Sequence, residues 1–348
     1  MYRHEETLTM PIYTSAAWRF YTDGMTIGFL DLETTGLSHQ RDHIILGGLL
    51  KVSPGYDPSS AEVQLIQLLC DTPSEEKAML QAFWDEMTQC QIIVTFNGDS
   101  FDLSILKKKL IRYGILSEEE TPLFLSVDLY RLFQNGCPMA SLLPDLRQKT
   151  VENALGLDDL RKDQIDGAES VTLYEQYAGQ PEGDCRNELR KVILLHNRDD
   201  ILQLTRLMKI LNKVDLHLHL NRKGFLVPVD DYIFKVDQIS LNRKELIFEA
   251  STRNLNGDRD LFDPAFRLSH NSVLKRLKVQ ISMMYLQECI IADLEALPGD
   301  FVQLQRHSGY ESGYLILHQD DQSDRFAINH LIKVFLREVF HENQSSTG

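Results

Sequence analysis

The segment Thr26–Leu37, TIGFLDLETTGL, decides the fold of this chain. Its apolar first half predicts a strand, and two acids follow at Asp31 and Glu33. Side chains alternate between the two faces of a strand, so both carboxylates project to the same side. Neighbouring carboxylates raise each other's pKa unless a cation neutralises them. The pair is therefore a candidate binding site for a divalent metal ion. A strand that ends in two solvated acids is the alternative.

The composition is that of a globular protein, long enough for one large domain or two ordinary ones. The 348 residues are 43% hydrophobic and 25% charged, and the formal net charge is -15. This charge argues against a broad basic surface that grips nucleic acid through many phosphates. A polyanionic substrate would have to be held locally, with metal ions offsetting the repulsion.

The cysteine pattern and the hydropathy predict a cytoplasmic protein without membrane association. The five cysteines are scattered, odd in number and form no C-x-x-C pair, which favours reduced thiols over a disulfide framework or a zinc site. Residues 1–7 lack the apolar core of a signal peptide, and no apolar stretch approaches the roughly 18 residues of a membrane span.

Apolar and turn-forming segments predict an α/β domain over residues 1–213. We expect a mixed sheet of five strands flanked by helices, beginning with an antiparallel meander. After the first strand, the expected elements are strands at 44–52 and 62–69, a helix at 78–87, a strand at 91–96, a helix at 101–113, a strand at 123–127 and a long helix at 186–211.

The pattern changes near Val214, and we expect a smaller α+β domain of unknown role over residues 214–348. Its role could be substrate selection, self-association or binding of a protein partner. The expected elements are strands at 216–229, 231–239 and 245–251, a helix at 271–294, a strand at 314–318 and a closing helix at 327–340.

A second motif, Asn97-Gly98-x-x-Phe101-Asp102, follows an apolar strand. Asn-Gly turns the chain, and Asp102 falls in the first turn of the next helix, pointing toward the carboxyl ends of the strands. The alternative is an acid that only complements the helix dipole. Asn97 either contacts substrate or shapes the turn, and the turn is favoured. Asp128 either supports the site or caps the helix that follows it, and the cap is favoured.

The third motif is HNRDD, residues 196–200. On a helix His196 and Asp200 share one face because they are four residues apart. Asp200 also shares its face with apolar residues, so we expect Asp200 to point inward and Asp199 outward. An acid buried on an apolar helix face is costly unless it is paired or bound to a metal. A hydrogen-bonded His-Asp pair inside the core is the alternative.

In this order, the three motifs resemble those of the four-acid DEDD exonucleases of the ribonuclease H-like superfamily. Within that group the chain looks closest to the YprB-type bacterial ribonuclease H-like domain, over about residues 25–212. The resemblance implies that these residues form the core of a ribonuclease H-like domain, with a mixed sheet of five strands flanked by helices. The resemblance implies that two divalent cations, Mg²⁺ or Mn²⁺, are held by four acids and that a histidine is the general base. The acids are Asp31, Glu33, Asp102 and Asp200, and the base is His196.

One spacing departs from the family. In the histidine subgroup the base lies five positions before the last acid, whereas His196 lies four positions before Asp200, as in the tyrosine subgroup. The departure puts the role of His196 in doubt more than the metal site. Candidate substrate contacts are Thr34, Asn97 and Lys107.

Three further groups of residues could contact nucleic acid, but each also has an ordinary structural explanation. A basic helix face at residues 107–109 and 112 could steer a nucleic-acid backbone, or it could simply be solvated. Four aromatic residues could stack on unpaired bases, although core packing is the default. A polar loop cluster could touch phosphates or only face solvent. The aromatic residues are Tyr130, Phe133, Tyr174 and Tyr177, and the loop cluster is Arg161, Lys162, Asp163 and Asp166.

The leading hypothesis is a metal-dependent 3′-to-5′ exonuclease on single-stranded DNA or RNA. A catalytically silent module that binds nucleic acid or a partner is the alternative, although such a module has no need to concentrate negative charge where phosphate must sit. An ATPase of the actin-like fold lacks support because no G-x-x-x-x-G-K loop is present. The sequence does not distinguish a DNA substrate from an RNA substrate, nor an exonuclease from an endonuclease.

Overall fold

The computed structural model describes residues 1–341 except 37, 39, 119–121 and 158–166. The chain divides into two compact units, Met1–Val214 and Asp215–Gly348. The polar cluster at residues 161–166 lies outside the described residues. Among the described residues, no helix has the length and apolar character needed to cross a membrane.

The first unit is built on a mixed six-stranded sheet of order β1-β4-β3-β2-β5-β6. Its strands are β1 Tyr2–Met10, β2 Ile27–Thr34, β3 Ile44–Val52, β4 Ala61–Leu69, β5 Ile92–Thr95 and β6 Leu125–Asp128. The expected antiparallel meander of β2, β3 and β4 is confirmed. β5 pairs parallel with both β2 and β6, so three strands end at the same edge of the sheet.

The sheet has six strands rather than the expected five because β1 adds an outer strand, antiparallel to β4. The strand sequence, YRHEETLTM, is mostly polar, and none of its residues is fully buried. A polar edge strand of this kind carries little of the apolar alternation that identifies strands from sequence, and it also protects the sheet edge from pairing with other chains.

Helices cover the sheet of the first unit, and those expected from the sequence at 78–87, 101–113 and 186–211 are confirmed. The helices are α1 Ala16–Thr22, α2 Glu76–Met87, α3 Asp102–Arg112, α4 Leu129–Gly136, α5 Gln148–Ala154, α6 Gly167–Gly179 and α7 Asp184–Leu207. A 3-10 turn, Met208–Asn212, extends α7 toward the end of the unit.

Lys109 does not belong to a basic face, contrary to the sequence-based expectation. Its side chain is almost fully buried, and its Nζ lies 2.9 Å from Oε1 of the buried Glu76. The Glu76 carboxylate also accepts hydrogen bonds from the Ile44 amide at 2.8 Å and the Tyr113 hydroxyl at 2.7 Å. This buried pair ties α2 and α3 to the start of β3, whereas Lys107 and Lys108 are exposed.

The cysteines are free, as expected. Cys70, Cys90 and Cys137 are buried. Burial is the main cause that raises the pKa of the Cys70 and Cys90 thiols to about 12. Since the thiolate is the reactive form, these two cysteines serve as core residues.

The second unit contains two antiparallel sheets and two helices in its described part, so it is richer in strands than expected. One sheet has the order β10-β11-β12-β9-β8-β7, and the other has the order β13-β14-β16-β15, with β17 paired to β16. The elements are α8 Leu216–Lys223, β7 Phe225–Val229, β8 Tyr232–Leu241, β9 Glu245–Arg253, β10 Arg259–Phe262, β11 Phe266–Asn271, β12 Arg276–Ser282, β13 Met284–Leu286, β14 Cys289–Asp293, β15 Tyr310–Glu311, β16 Tyr314–Gln319, β17 Gln322–Ser323 and α9 Arg325–Phe340.

Two expectations for the second unit are wrong. The segment 271–294 forms strands rather than a helix, and its β12 alternates buried and less buried residues along RLKVQIS, the period of two that marks a strand. Residues 216–223 form α8 rather than a strand, and the Asp215 side chain caps it by accepting the Leu218 amide hydrogen bond at 2.9 Å. The expected strands at 231–239, 245–251 and 314–318 and the closing helix are confirmed.

Candidate active site

The paired acids of β2 lie on one face of the strand, as the alternation requires. Glu33 is 8% exposed, and its Oε2 accepts a hydrogen bond from the Ser170 hydroxyl of α6 at 3.3 Å. Asp31 is partly buried and lies opposite Gly48 of β3. Thr34, a candidate substrate contact, donates its hydroxyl hydrogen bond to the Gly36 carbonyl at 2.9 Å, which shapes the turn after the strand.

The turn between β5 and α3 is fixed by its own conformation and by Asp128. Asn97 has a φ of 64°, in the left-handed region that asparagine tolerates, which supports a turn-forming role. A Cβ at Gly98 would lie 2.4 Å from the Thr95 hydroxyl, so only glycine fits there. The buried Asp128 accepts the backbone hydrogen bonds of Asn97 at 2.8 Å and Asp99 at 3.2 Å.

Asp128 is also the N-cap of α4, as expected, because its carboxylate accepts the amide hydrogen bonds of Tyr130 and Arg131. One side chain therefore starts a helix and holds the preceding turn in place. Arg131 donates a further hydrogen bond to the Ser100 hydroxyl at 2.9 Å. These contacts define where α3, and with it Asp102, begins.

Asp102 is the first residue of α3, where the sequence places it. It is 6% exposed, and its Oδ1 accepts a hydrogen bond from the backbone N–H of Leu32 at 3.2 Å. Leu32 stands between Asp31 and Glu33, so this bond joins the second motif directly to the first.

The third motif lies on α7, and it brings His196 and Asp200 to the same acids. The Nε2 atom of His196 is 3.6 Å from Oε1 of Glu33 and 3.7 Å from Oδ2 of Asp200. One ligand atom from each of these three residues lies within 4.8 Å of the other two. His196 is 4% exposed, so its ring is enclosed by the protein.

Asn197 is a residue of the site that the sequence analysis did not identify. It is fully buried, and its Nδ2 donates hydrogen bonds to Asp31 Oδ2 at 2.8 Å and to the Asp31 carbonyl at 3.3 Å. Its Oδ1 accepts a hydrogen bond from Gln67 Nε2 at 2.8 Å. A Cβ at Gly48 would lie 2.1 Å from this Oδ1. The glycine pair inside the apolar β3 is the sequence signal for such a close approach.

Mutual repulsion marks the acids as a single electrostatic unit. Burial raises the pKa of Asp31 well above its ordinary value, and the charges of Asp200, Glu33 and Asp102 raise it further, while the hydrogen bond from Asn197 opposes them. Burial also raises the pKa of Asp102 to about 7, with a smaller contribution from Glu33. Four carboxylates from three motifs thus face one another, and hard oxygen donors of this kind suit Mg²⁺ and Mn²⁺.

Asp199 does not face solvent, so that part of the expectation is wrong. It is 4% exposed and lines a cavity of about 220 Å³ together with residues of β1 and α7. The neighbouring Arg198 forms an ion pair with Glu6 of β1, with Nε 2.9 Å from Oε2. β1 therefore covers the side of α7 that carries Asp199, whereas Asp200 is partly buried on another face of the helix.

The remaining candidates are an exposed lysine of α3 and aromatic residues that pack within the first unit. Lys107 is on the exposed side of α3, away from the buried face that carries Asp102. Phe133, Tyr174 and Tyr177 are buried in the core, as the default interpretation expects. Tyr130 packs edge-to-face against Phe96, with ring centroids 5.8 Å apart.

Comparisons with known proteins place the first unit in a family. Solved structures that are similar to this chain include the following two. One is E. coli Exonuclease I in complex with a dT13 oligonucleotide, with 13% identity, a TM-score of 0.38 and coverage of 64% of this chain and 55% of that chain. The other is the family B DNA polymerase from the hyperthermophilic archaeon Pyrobaculum calidifontis, with 14% identity, a TM-score of 0.37 and coverage of 53% and 24%.

The chain thus spans about half of the exonuclease chain and about a quarter of the polymerase chain. No curated protein matches the sequence. A family model described as RNase_H superfamily matches residues 28–212, which is more than half of the chain and includes all three motifs. This chain therefore belongs to the RNase_H superfamily.

Proposed function

We propose that the chain is a metal-dependent nuclease that hydrolyses phosphodiester bonds, and that it acts as a 3′-to-5′ exonuclease on single-stranded DNA or RNA. The observation that carries the proposal is the meeting of four carboxylates, Asp31, Glu33, Asp102 and Asp200, whose charges destabilise one another. The direction and the preference for single strands rest on the motif resemblance to the DEDD exonucleases. The finer resemblance to the YprB-type domain and the cytoplasmic location stay predictions.

The donor set fits two divalent cations. Burial and like charge keep the metal-free acids in an unfavourable state, and bound cations would relieve this repulsion. Bound Mg²⁺ or Mn²⁺ would supply an activated water and neutralise charge that develops on the leaving oxygen. Asp31, Glu33, Asp102 and Asp200 are the residues that would hold the two ions.

The protein's own contribution is to orient the acids before substrate arrives. Asn197 holds the Asp31 carboxylate, Ser170 contacts Glu33, and the Leu32 amide holds Asp102. Preorganised groups cost no reorganisation during the reaction, so these hydrogen bonds favour a catalytic site over a binding surface. Without cations, four carboxylates would repel a polyanion, which counts against the silent binding module.

The test is degradation of 5′-labelled single-stranded DNA and RNA with Mg²⁺ or Mn²⁺. We expect products that shorten from the 3′ end and no cleavage of a circular single strand. Chelator should stop the reaction, and Asp31→Ala and Asp200→Ala should each lower the rate about a hundredfold or more, because metal stabilisation is worth several kcal/mol.

Glu188→Gln is the matched control, since Glu188 lies on the same helix as Asp200 with a side chain that is 70% exposed. This variant should cleave like wild type. Cleavage of the circular strand would indicate an endonuclease. A folded, metal-loaded wild type that cleaves neither DNA nor RNA would contradict the proposal and favour the binding module.

A further inference from the structure

We propose that the second unit binds single-stranded nucleic acid at one end of its larger sheet, through two exposed aromatic rings that stack on bases and two cations that pair with phosphates. The aromatic residues are Phe262 and Tyr285, and the cations are Arg267 and Lys244. The inference gives a role to the unit that the family match does not cover. It rests on the proposed function for the class of ligand and involves none of the four acids.

The first aromatic ring stands on the solvent-facing side of the sheet. Phe262 of β10 is 79% exposed and lies directly opposite Arg267 of β11. Directly opposed residues share one face of a sheet, and the face of Arg267 is turned to solvent because the next residue, Leu268, is buried. The Phe262 ring therefore contributes little to the core and can stack on a base.

Two turns and the start of β13 meet at this end of the sheet. Ser282, the last residue of β12, donates its amide hydrogen bond to the Ala265 carbonyl at 2.8 Å, in the turn between β10 and β11. The Met283 amide donates to the Lys244 carbonyl at 2.7 Å, in the turn between β8 and β9. The chain then enters β13, so residues of these two turns and of β13 can contact one ligand.

The second aromatic ring is on β13 and has an arginine beside it. Tyr285 is 42% exposed, and the guanidinium carbon of Arg243 lies 4.5 Å from the centroid of its ring. Each exposed ring at this end is thus accompanied by an arginine, Arg267 for Phe262 and Arg243 for Tyr285. Aromatic side chains that stack on bases, next to cations that follow the backbone, are the combination that binds single strands.

The charges of this end suit a polyanion, although the chain is acidic. The stretch from β7 to β12 holds nine lysines and arginines and eight aspartates and glutamates, whereas the whole chain has a net charge of -15. Within the part of the chain that the structure describes, the side chains of Arg267 and Lys244 have no partner. The two acids beside these turns are hydrogen-bonded, Glu245 by Gln280 at 3.2 Å and Asp263 by a backbone amide at 2.8 Å.

These cations favour a nucleic acid over an apolar protein surface as the occupant. An apolar partner would cover the two rings but would bury Arg267 and Lys244 without a counter-charge, which is costly. A single strand supplies bases for the rings and phosphates for the cations, so it matches both features.

One acid limits the path of the strand. Asp260 is exposed and lies on the same face as Phe262, two positions earlier on β10. Its charge opposes a phosphate on that side, so we expect the strand to run from Phe262 toward the turn between β8 and β9.

Fluorescence anisotropy of labelled oligothymidylate and oligouridylate tests the inference on the full chain, with chelator present to prevent cleavage. Phe262→Ala should weaken binding about 5- to 100-fold, the loss expected for one stacked base, whereas Phe262→Trp should keep the affinity. Arg267→Gln should weaken binding and reduce the slope of log affinity against log salt by about 0.7, the value of one phosphate contact on a single strand. Asp260→Asn should tighten binding.

Leu274→Ala and Arg253→Gln are the matched controls, because these residues lie at the opposite end of the same sheet. Leu274 is 68% exposed, and both variants should bind like wild type with the same salt dependence. Unchanged affinity in Phe262→Ala and Arg267→Gln would overturn the inference. So would a wild-type dimer that becomes a monomer in Phe262→Ala without losing affinity for nucleic acid, since the rings would then contact a second copy.

These outcomes separate the inference from the proposed function. Either overturning result leaves the nuclease proposal standing if wild type degrades single-stranded DNA or RNA with Mn²⁺ or Mg²⁺. A wild type that neither binds nor cleaves a single strand would overturn both.

Discussion

At the scale of single residues, Asn197 links the helix of the third motif to the strand of the first. Its amide is the fully buried group between Gln67 of β4 and Asp31 of β2, and Gly48 leaves the room it needs. An asparagine in this position cannot act on substrate. We infer that it is a positioning residue, which sets the orientation of the Asp31 carboxylate.

Asn197→Ala should weaken Mn²⁺ binding about 10- to 100-fold, the range found when partners of metal ligands are removed. The free energy of unfolding should fall by about 1–3 kcal/mol, because Gln67 loses a buried acceptor. Titration calorimetry and urea unfolding measure the two effects. Asn187→Ala, an exposed asparagine on the same helix, should change neither. Unchanged Mn²⁺ affinity in Asn197→Ala would show that the hydrogen bond is only structural.

Asp102→Asn should stabilise the chelated protein while abolishing activity. Burial raises the pKa of Asp102 to about 7 from an ordinary 3.8, so the folded state loses stability as pH rises from about 4 to about 7. The asparagine has no charge, and its oxygen can still accept the Leu32 hydrogen bond. The gain in free energy of unfolding should reach about 1–4 kcal/mol at pH 8 and be smaller at pH 5.

Urea unfolding in the presence of chelator at both pH values measures this gain. With saturating Mn²⁺ the wild type should have the larger free energy of unfolding, because it gains more binding energy than Asp102→Asn. A gain of equal size at pH 5 and pH 8 would show that charge on Asp102 is not its cause.

At the scale of elements, Asp128 determines where two segments begin. It accepts backbone hydrogen bonds from the Asn97 turn and from the first turn of α4. Sequence analysis identified the cap because an apolar run that ends in Asp before a helix is a local signal. The contact with the Asn97 turn is not local, since it crosses between neighbouring parallel strands.

Asp128→Ala should lower the free energy of unfolding by about 2–4 kcal/mol, since it removes a cap and leaves buried N–H groups unpaired. Mn²⁺ affinity should also fall, because α3 and Asp102 are no longer fixed. Asp215→Ala is the comparison, because it removes the cap of α8 in the other unit. That variant should cost about 1 kcal/mol and leave Mn²⁺ affinity unchanged. Equal losses of metal affinity in both variants would contradict this account.

Residues 271–294 form strands where a helix was predicted, because helix and strand patterns compete in this segment. Residues 271–294 contain both spacings, and the turns that separate β11, β12, β13 and β14 lack proline or asparagine-glycine pairs. Pairing with β9 and β11 selects the strand form for β12. Sheet context therefore overrides local preference here.

At the scale of the whole molecule, the second unit carries a buried histidine pair that should make it sensitive to acid. His307 Nε2 lies 2.8 Å from His330 Nδ1, and the His330 ring stacks on Phe326 with an interplanar angle of 6°. Burial is the main cause that lowers the pKa of His330 to about 3, and the nearby charges of Arg306, Lys333 and Arg337 lower it further. Burial likewise lowers the pKa of His307, which Asp324 partly offsets.

A histidine with a lowered pKa stabilises the fold when neutral, so this contribution is complete above about pH 6.5 and is lost as pH falls toward 3. Between pH 7 and pH 4.5 we expect the second unit to lose about 1–3 kcal/mol. Amide exchange of α9 should report this loss. His330→Gln should flatten the pH dependence, whereas His341→Gln, a histidine whose side chain is 68% exposed, should not. An unchanged dependence in His330→Gln would exclude the histidine pair as the source.

The sequence by itself determined which elements carry the candidate site residues. Asp31 and Glu33 share a face because strands alternate, Asp102 starts a helix after Asn-Gly, and His196 and Asp200 are one turn apart on α7. Each of these relations is local, so the spacing alone predicts it. The RNase_H superfamily fold follows from the order of the same segments.

Only the tertiary structure decided which groups meet. Asp102 accepts a hydrogen bond from the Leu32 amide, which is 70 positions away in the sequence. Asn197 donates a hydrogen bond to Asp31, which is 166 positions away. The polar strand β1 covers Asp199. Because Gly48 has no Cβ, there is room for the Asn197 amide beside β3. These contacts depend on strand order and on the close approach of backbones, which are properties of the packed sheet rather than of any local pattern.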